Sequence, residues 1–107
     1  MEVISNNPVL CTIALAALEQ VTDPEIGLNV VDLGLIHQLD FDEAKPEIHA
    51  SMTLTTQFCP MGDTIYEAVK RVLKETFKNY SIQLELCFSP AWTAERISPA
   101  GKEFLNR

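Results

Sequence analysis

Apolar residues recur at helical spacing near the start of the chain: Leu10, Ile13, Ala14, Ala17, Leu18 and Val21. That period predicts an amphipathic helix over residues 8 to 21. Asn7 and Pro8 supply an N-cap followed by proline at the first helical position. Leu35, His37, Leu39 and Phe41 alternate instead, which predicts a strand closed by the turn-forming run DEAKPE. Ile48, Ala50, Met52 and Leu54 alternate again, with His49, Ser51, Thr53 and Thr55 on the opposite face. The short connection between these two strands predicts an antiparallel hairpin. Met61, Ile65, Ala68, Val69, Val72, Leu73 and Phe77 return to the helical period. The last turns of that second helix carry Lys70, Arg71, Lys74 and Lys78, the charge sign its C-terminal dipole favours. Tyr80, Ile82, Leu84, Leu86 and Phe88 then mark a third strand, with Gln83, Glu85 and Cys87 facing the other way. In the turn-rich tail, Ser89-Pro90 and Ser98-Pro99 each can open a short helix. The expected fold class is α+β: a small single domain over residues 1–107. It has a three-stranded mixed or antiparallel sheet, two main helices packed on one face, and short C-terminal helices.

Composition narrows the partners. A chain of 107 residues suits one domain and buries enough surface to fold without a disulfide or metal staple. Its formal charge of −7 opposes nucleic acid and anionic lipid, which are held by Lys and Arg. No apolar run approaches the roughly 20 residues of a membrane span. The start, MEVISNNP, has neither the basic patch nor the apolar stretch of a signal peptide, so a cytoplasmic location is expected. Cys11, Cys59 and Cys87 are odd in number and lack C-x-x-C spacing, which favours unbridged thiols and gives no zinc ligand pattern. Cys11, on the edge of the first helix's stripe, reads as a core filler. His37 and His49 read as strand residues rather than ligands.

Two stretches invite chemistry. Residues 22 to 34, TDPEIGLNVVDLG, form an irregular loop with carboxylates at Asp23, Glu25 and Asp32. Their spacing alone favours a solvated acidic loop in which Asp23 makes a turn with its own backbone. Further on, Cys59 stands directly before Pro60, where alternation gives way to helical periodicity. With Pro60 at the first helical position, Cys59 is the N-cap, and open amide N–H groups and the dipole favour its thiolate. The plainer alternative is a buried, protonated cysteine that tolerates the cap. A thiolate there suits either covalent catalysis, which needs a base such as His37 or His49, or ligation of a soft metal.

Three segments in order, DPEIGLNVVDLGLI, TLTTQFCPMGD and SPAWTAERISPAGKEFL, resemble the iron–sulfur cluster assembly domains that include SufT-like and PaaD-like proteins. The likeness runs from about residue 8 to residue 106. The family's Asp-Pro-Glu falls on Asp23, Pro24 and Glu25, its Thr-Thr pair on Thr55 and Thr56, and its characteristic cysteine on Cys59. Its Pro-Ala-Trp element falls on Pro90, Ala91 and Trp92. Where family members usually carry smaller or turn-forming residues before the cysteine, this chain has Gln57 and Phe58.

The resemblance implies an α+β fold and a role in maturing iron–sulfur proteins. It implies a pocket in which Asp23 and Glu25 join Thr55, Thr56 and Cys59, with Cys59 as the essential thiol and a transient metal ligand. One cysteine cannot hold a cluster that needs four thiolates. The expectation is therefore no tightly bound cofactor, but transient iron or a cluster shared between chains, with a client, or with small thiols. Expected partners are the assembly machinery and client apo-proteins, with Phe58 and Trp92 as aromatic interface anchors; a homodimer stays open. Two other readings remain: a thiol enzyme using Cys59 as nucleophile or redox centre, and a plain protein-interaction module.

Overall fold

The computed structural model describes residues 3–55, 62–88 and 91–106. In chain order its elements are β1 (Ile4–Ser5), α1 (Pro8–Leu18), β2 (Ile36–Asp42), β3 (Glu47–Met52), α2 (Gly62–Thr76), β4 (Ser81–Leu86) and α3 (Pro99–Leu105), with a 3₁₀ turn at Ala94–Arg96.

The first helix starts as its sequence predicts. Asn7 is extended, its side-chain oxygen accepts from the Leu10 N–H at 3.1 Å, and Pro8 follows. It ends at Leu18, earlier than the apolar period suggests, and Val21 enters the core from the turn beyond. Its buried stripe is Cys11, Ala14 and Leu18, one helical face; Ile13 stands outside it, 46% exposed. Cys11 is the core filler its position predicts.

Among the described residues the sheet has four strands rather than three, in the order β1-β2-β3-β4. The strand missed by the pattern is β1, two residues long and parallel to β2; alternation is not legible over two residues. The β2–β3 pair is the expected antiparallel hairpin, and β4 returns parallel to β3 through α2, so the sheet is mixed. A register shift between Ile36 and Gln38 corrects the simple alternation predicted for β2. The extra residue is His37, so Ile36 joins Leu39 and Phe41 in the core while His37 leaves the core face.

Helices α1 and α2 cover one face of the sheet, packing with Leu39, Phe41, Ile48, Met52 and Ile82. The other face carries Gln38, Asp40, His49, Ser51, Gln83 and Glu85 and lies open, a concavity of about 370 Å³. At the sheet end near β4's start, Phe41, Phe77 and Tyr80 form three edge-to-face ring pairs with centroids 5.5, 6.4 and 5.9 Å apart. No helix among the described residues is long and apolar enough to cross a membrane.

Candidate functional site

The acidic loop is built before it is acidic. Leu28, Val30 and Leu33 are buried, so the loop is a piece of core without regular structure. Buried backbone must find partners locally. A bridge joins Thr22 to Asn29, the Val30 N–H donates to Val21 O at 2.9 Å, and Leu35 N–H donates to Val30 O at 3.0 Å. Asp23 is 2% exposed, and its Oδ1 accepts from the N–H groups of Glu25 at 2.8 Å and Ile26 at 3.3 Å. This is the local turn that the spacing predicts, closed by Gly27 at φ +83°, but the expected solvated loop is corrected: Asp23 is buried because the loop's apolar residues join the core. Glu25 is exposed.

Asp32 has a different task, across a sequence gap of 66 residues. Its Oδ1 accepts from Ser98 Oγ at 2.7 Å, its Oδ2 from Asn29 Nδ2 at 2.7 Å, and its backbone oxygen from the Ser98 N–H at 2.8 Å. Ser98 Oγ in turn caps α3 by accepting from Gly101 N–H at 3.0 Å. The C-terminal segment is thus clamped onto the loop. Trp92 adds a second tie, its indole N–H donating to Leu33 O at 2.6 Å while the ring packs partly buried on the core. Arg96 adds a third, its Nε–H donating to Gly34 O at 2.9 Å.

Arg96 also reaches the bulged histidine, 2.8 Å from His37 Nδ1. A guanidinium only donates, so Nδ1 accepts and the neutral ring carries its proton on Nε2. That Nε2 is buried and has no hydrogen-bond partner among the described residues. Burial first, and the Arg96 charge second, hold the His37 pKa below its ordinary value; burial likewise lowers that of Arg96. His37 therefore presents a donor, not a base. His49 lies on the exposed side of β3 with its Nε2 3.0 Å from Glu47 Oε2.

Thr53 N–H donates to Leu35 O at 2.8 Å, which sets the exit of β3 beside the end of the acidic loop. Thr55, half-buried, follows two residues later. Among the described residues no hydrogen bond joins Thr55 to Asp23 or Glu25. Thr56, Phe58 and Cys59, the proposed N-cap, lie outside the described residues, as does Pro60, the proposed first helical position. No group of three or more His, Cys, Asp or Glu among the described residues could hold a metal ion. The Arg96–His37 pair and the Ser98–Asp32 clamp escape sequence reasoning, although the Ser98-Pro99 capping signal marks one end of the clamp.

Fold and site together define a small α+β domain whose core-bearing acidic loop is locked by its own C-terminal segment beside the exit of a hairpin strand. The chain belongs to the family described as iron–sulfur cluster assembly protein, whose model matches residues 13–81. It is 36% identical over 92 residues to "Fe-S protein maturation auxiliary factor YitW" of Bacillus subtilis, covering 86% of this chain and 89% of that one. It is 37% identical over 86 residues to "Fe-S protein maturation auxiliary factor SufT" of Staphylococcus aureus, covering 80% and 97%. The fold is similar to the crystal structure of a domain of unknown function, DUF59, from Bacillus anthracis. That match has a TM-score of 0.85 and 33% identity, covering 92% of this chain and 93% of that one.

Proposed function

We propose that this protein is an iron–sulfur protein maturation auxiliary factor that works through protein contacts, with Cys59 as its essential thiol. The observation that carries this is the match, over most of both chains, to two proteins named as such factors. Iron or a cluster is cargo in this reading, held for a time by Cys59 and completed by thiolates from outside the chain. Asp23 organises the loop, since one of its carboxylate oxygens already accepts two backbone N–H groups. Glu25 and Thr55, with Thr56, remain the polar residues proposed around the cargo, and Phe58 and Trp92 the aromatic contacts to partners. The thiol-enzyme alternative gains no base from His37, whose Nδ1 already accepts from Arg96 and whose other nitrogen is an N–H.

The test is anaerobic reconstitution with iron and sulfide on wild type and Cys59→Ser, alongside client enzyme activity in cells carrying each form. Visible charge-transfer absorbance in wild type and its loss in Cys59→Ser is the expected result. Equal absorbance in both proteins, or none in either, removes direct ligation. Unchanged client activity in Cys59→Ser cells removes the essential thiol.

A further inference from the structure

Tyr66, Lys70 and Lys74 form one stripe of α2, and that stripe lies along β4. The Tyr66 hydroxyl donates to Leu84 O at 2.8 Å and Lys74 Nζ donates to Tyr80 O at 2.9 Å, so helix and strand run antiparallel. From Tyr66 to Lys74 the helix rises about 12 Å, and from Tyr80 to Leu84 the strand rises about 13 Å. The two stay in step, which sets Lys70 level with Ile82. A groove of about 420 Å³ there is lined by Glu67, Lys70, Arg71, Lys74, Ser81 and Ile82. Its cations outnumber its one carboxylate, and among the described residues none of them is in an ion pair. Four of the eight basic residues of this acidic chain lie between positions 70 and 78. The helix dipole accounts for Lys74, in the last turn, but not for Lys70 and Arg71 before it, because its effect fades within one turn.

Beside the groove runs a strand edge. Ser81 N–H donates to Pro46 O and Cys87 N–H to Met52 O, so the odd-numbered amides of β4 face β3. The backbone groups of Ile82, Leu84 and Leu86 therefore point outward, and among the described residues no strand pairs with that side. The strand, SIQLEL, contains none of the Lys, Pro or bulge devices that blunt an open edge.

We infer that this groove and edge take an extended acidic segment of a partner protein, which adds to β4 as a further strand and sets carboxylates on Lys70 and Lys74. Charge and spacing together carry the inference. Side chains four apart on a helix stand about 6 Å apart along its axis, and alternate side chains of a strand about 6.7 Å apart. Carboxylates at alternate positions of an added strand therefore meet Lys70 and Lys74 in succession. The edge presents carbonyls as well as N–H groups, so a phosphate, which only accepts, leaves half of it unmet, whereas a peptide strand supplies both. Asp40 and Glu85 lie on the open face of the sheet, and salt screens the chain's overall charge of −7 beyond about 8 Å, so the local cations decide. This docking surface goes beyond the maturation role. It uses none of the residues proposed around the cargo, so either reading can fail without the other.

The test titrates the full chain with a fluorescein-labelled eight-residue peptide of alternating glutamate and valine, read by anisotropy. Amide exchange at Ile82, Leu84 and Leu86 is followed by NMR in the same titration. The expected result is saturable binding that slows exchange at those amides. It should weaken at least ~5-fold in Lys70→Gln/Lys74→Gln and stay unchanged in Lys102→Gln, on α3. Circular dichroism establishes folding; if the double variant is unfolded, Lys70→Gln alone, which keeps the Lys74–Tyr80 bond, should weaken binding at least ~2-fold. A peptide of alternating lysine and valine should not bind. No binding at several hundred micromolar overturns the proposal, as does equal binding by the lysine peptide or by the folded variant. Displacement by equimolar inorganic phosphate, or binding that leaves the β4 amides unprotected, overturns it too. Protection of those amides that grows with concentration of the chain alone assigns the edge to a second copy and likewise overturns it.

Discussion

Replacing Gly34 by alanine tests whether the C-terminal clamp is built on a glycine. Gly34 has φ +75°, and a Cβ there would lie 2.7 Å from Arg96 Cβ and closer still to Arg96 O. Ordinary carbon contacts need about 3.5–4.0 Å, so the Arg96 backbone would have to move by roughly 1 Å. The left-handed conformation alone costs a non-glycine residue about 1–2 kcal/mol. Displacing Arg96 strains or breaks its bond to Gly34 O and the neighbouring Trp92–Leu33 bond, adding about 2–3 kcal/mol. Gly34→Ala should thus cost about 3–5 kcal/mol, a large part of the roughly 5–15 kcal/mol that stabilises a domain. Gly27 is the control: it has φ +83° but nothing within 4 Å of an added Cβ, so Gly27→Ala should cost only the conformational part, about 1–2 kcal/mol. Urea unfolding gives the difference. Trp92, the single tryptophan, reports the cause, because its emission should shift to the red in Gly34→Ala and not in Gly27→Ala. Equal destabilisation of the two variants, with unchanged Trp92 emission in both, would refute the reasoning.

Asp32→Ala removes the acceptor for Ser98 and Asn29 and should cost about 1–3 kcal/mol in urea unfolding, with faster amide exchange at Gly101. His37 is held neutral, its folded pKa below the ordinary 6.5, so its contribution to stability is full above about pH 6.5 and is lost as pH falls through the folded value. The stability difference between wild type and His37→Asn should therefore shrink between pH 8 and pH 5; a constant difference refutes the assignment. Phe77→Ala removes a ring shared by two edge-to-face pairs and should cost about 3–5 kcal/mol by thermal or chemical unfolding.

The elements most legible in the chain were those whose determinants are local. The Asn7-Pro8 start of α1, the β2–β3 hairpin, the helix through Ile65, Val69 and Leu73, and the Ser98-Pro99 start of α3 each follow from residues within a turn or two of one another. The family, too, was carried by three short segments, and the Asp23 turn by five consecutive residues. What escaped was set by contacts distant in sequence. Two residues of β1 become a strand because an edge of β2 is there to pair with. His37 leaves the alternation because its strand bulges there, and Arg96, 59 residues away, meets its ring.

Sequence by itself determined the α+β class, the order of the main elements and the loop chemistry of Asp23, because periodicity and turn propensity act over a few residues. The tertiary structure alone decided that Asp32 holds the C-terminal helix, that Gly34 must lack a side chain, and that β1 covers the β2 edge of the sheet. Those outcomes depend on which distant surfaces exclude water from one another, and a one-dimensional pattern does not encode that choice in any local stretch.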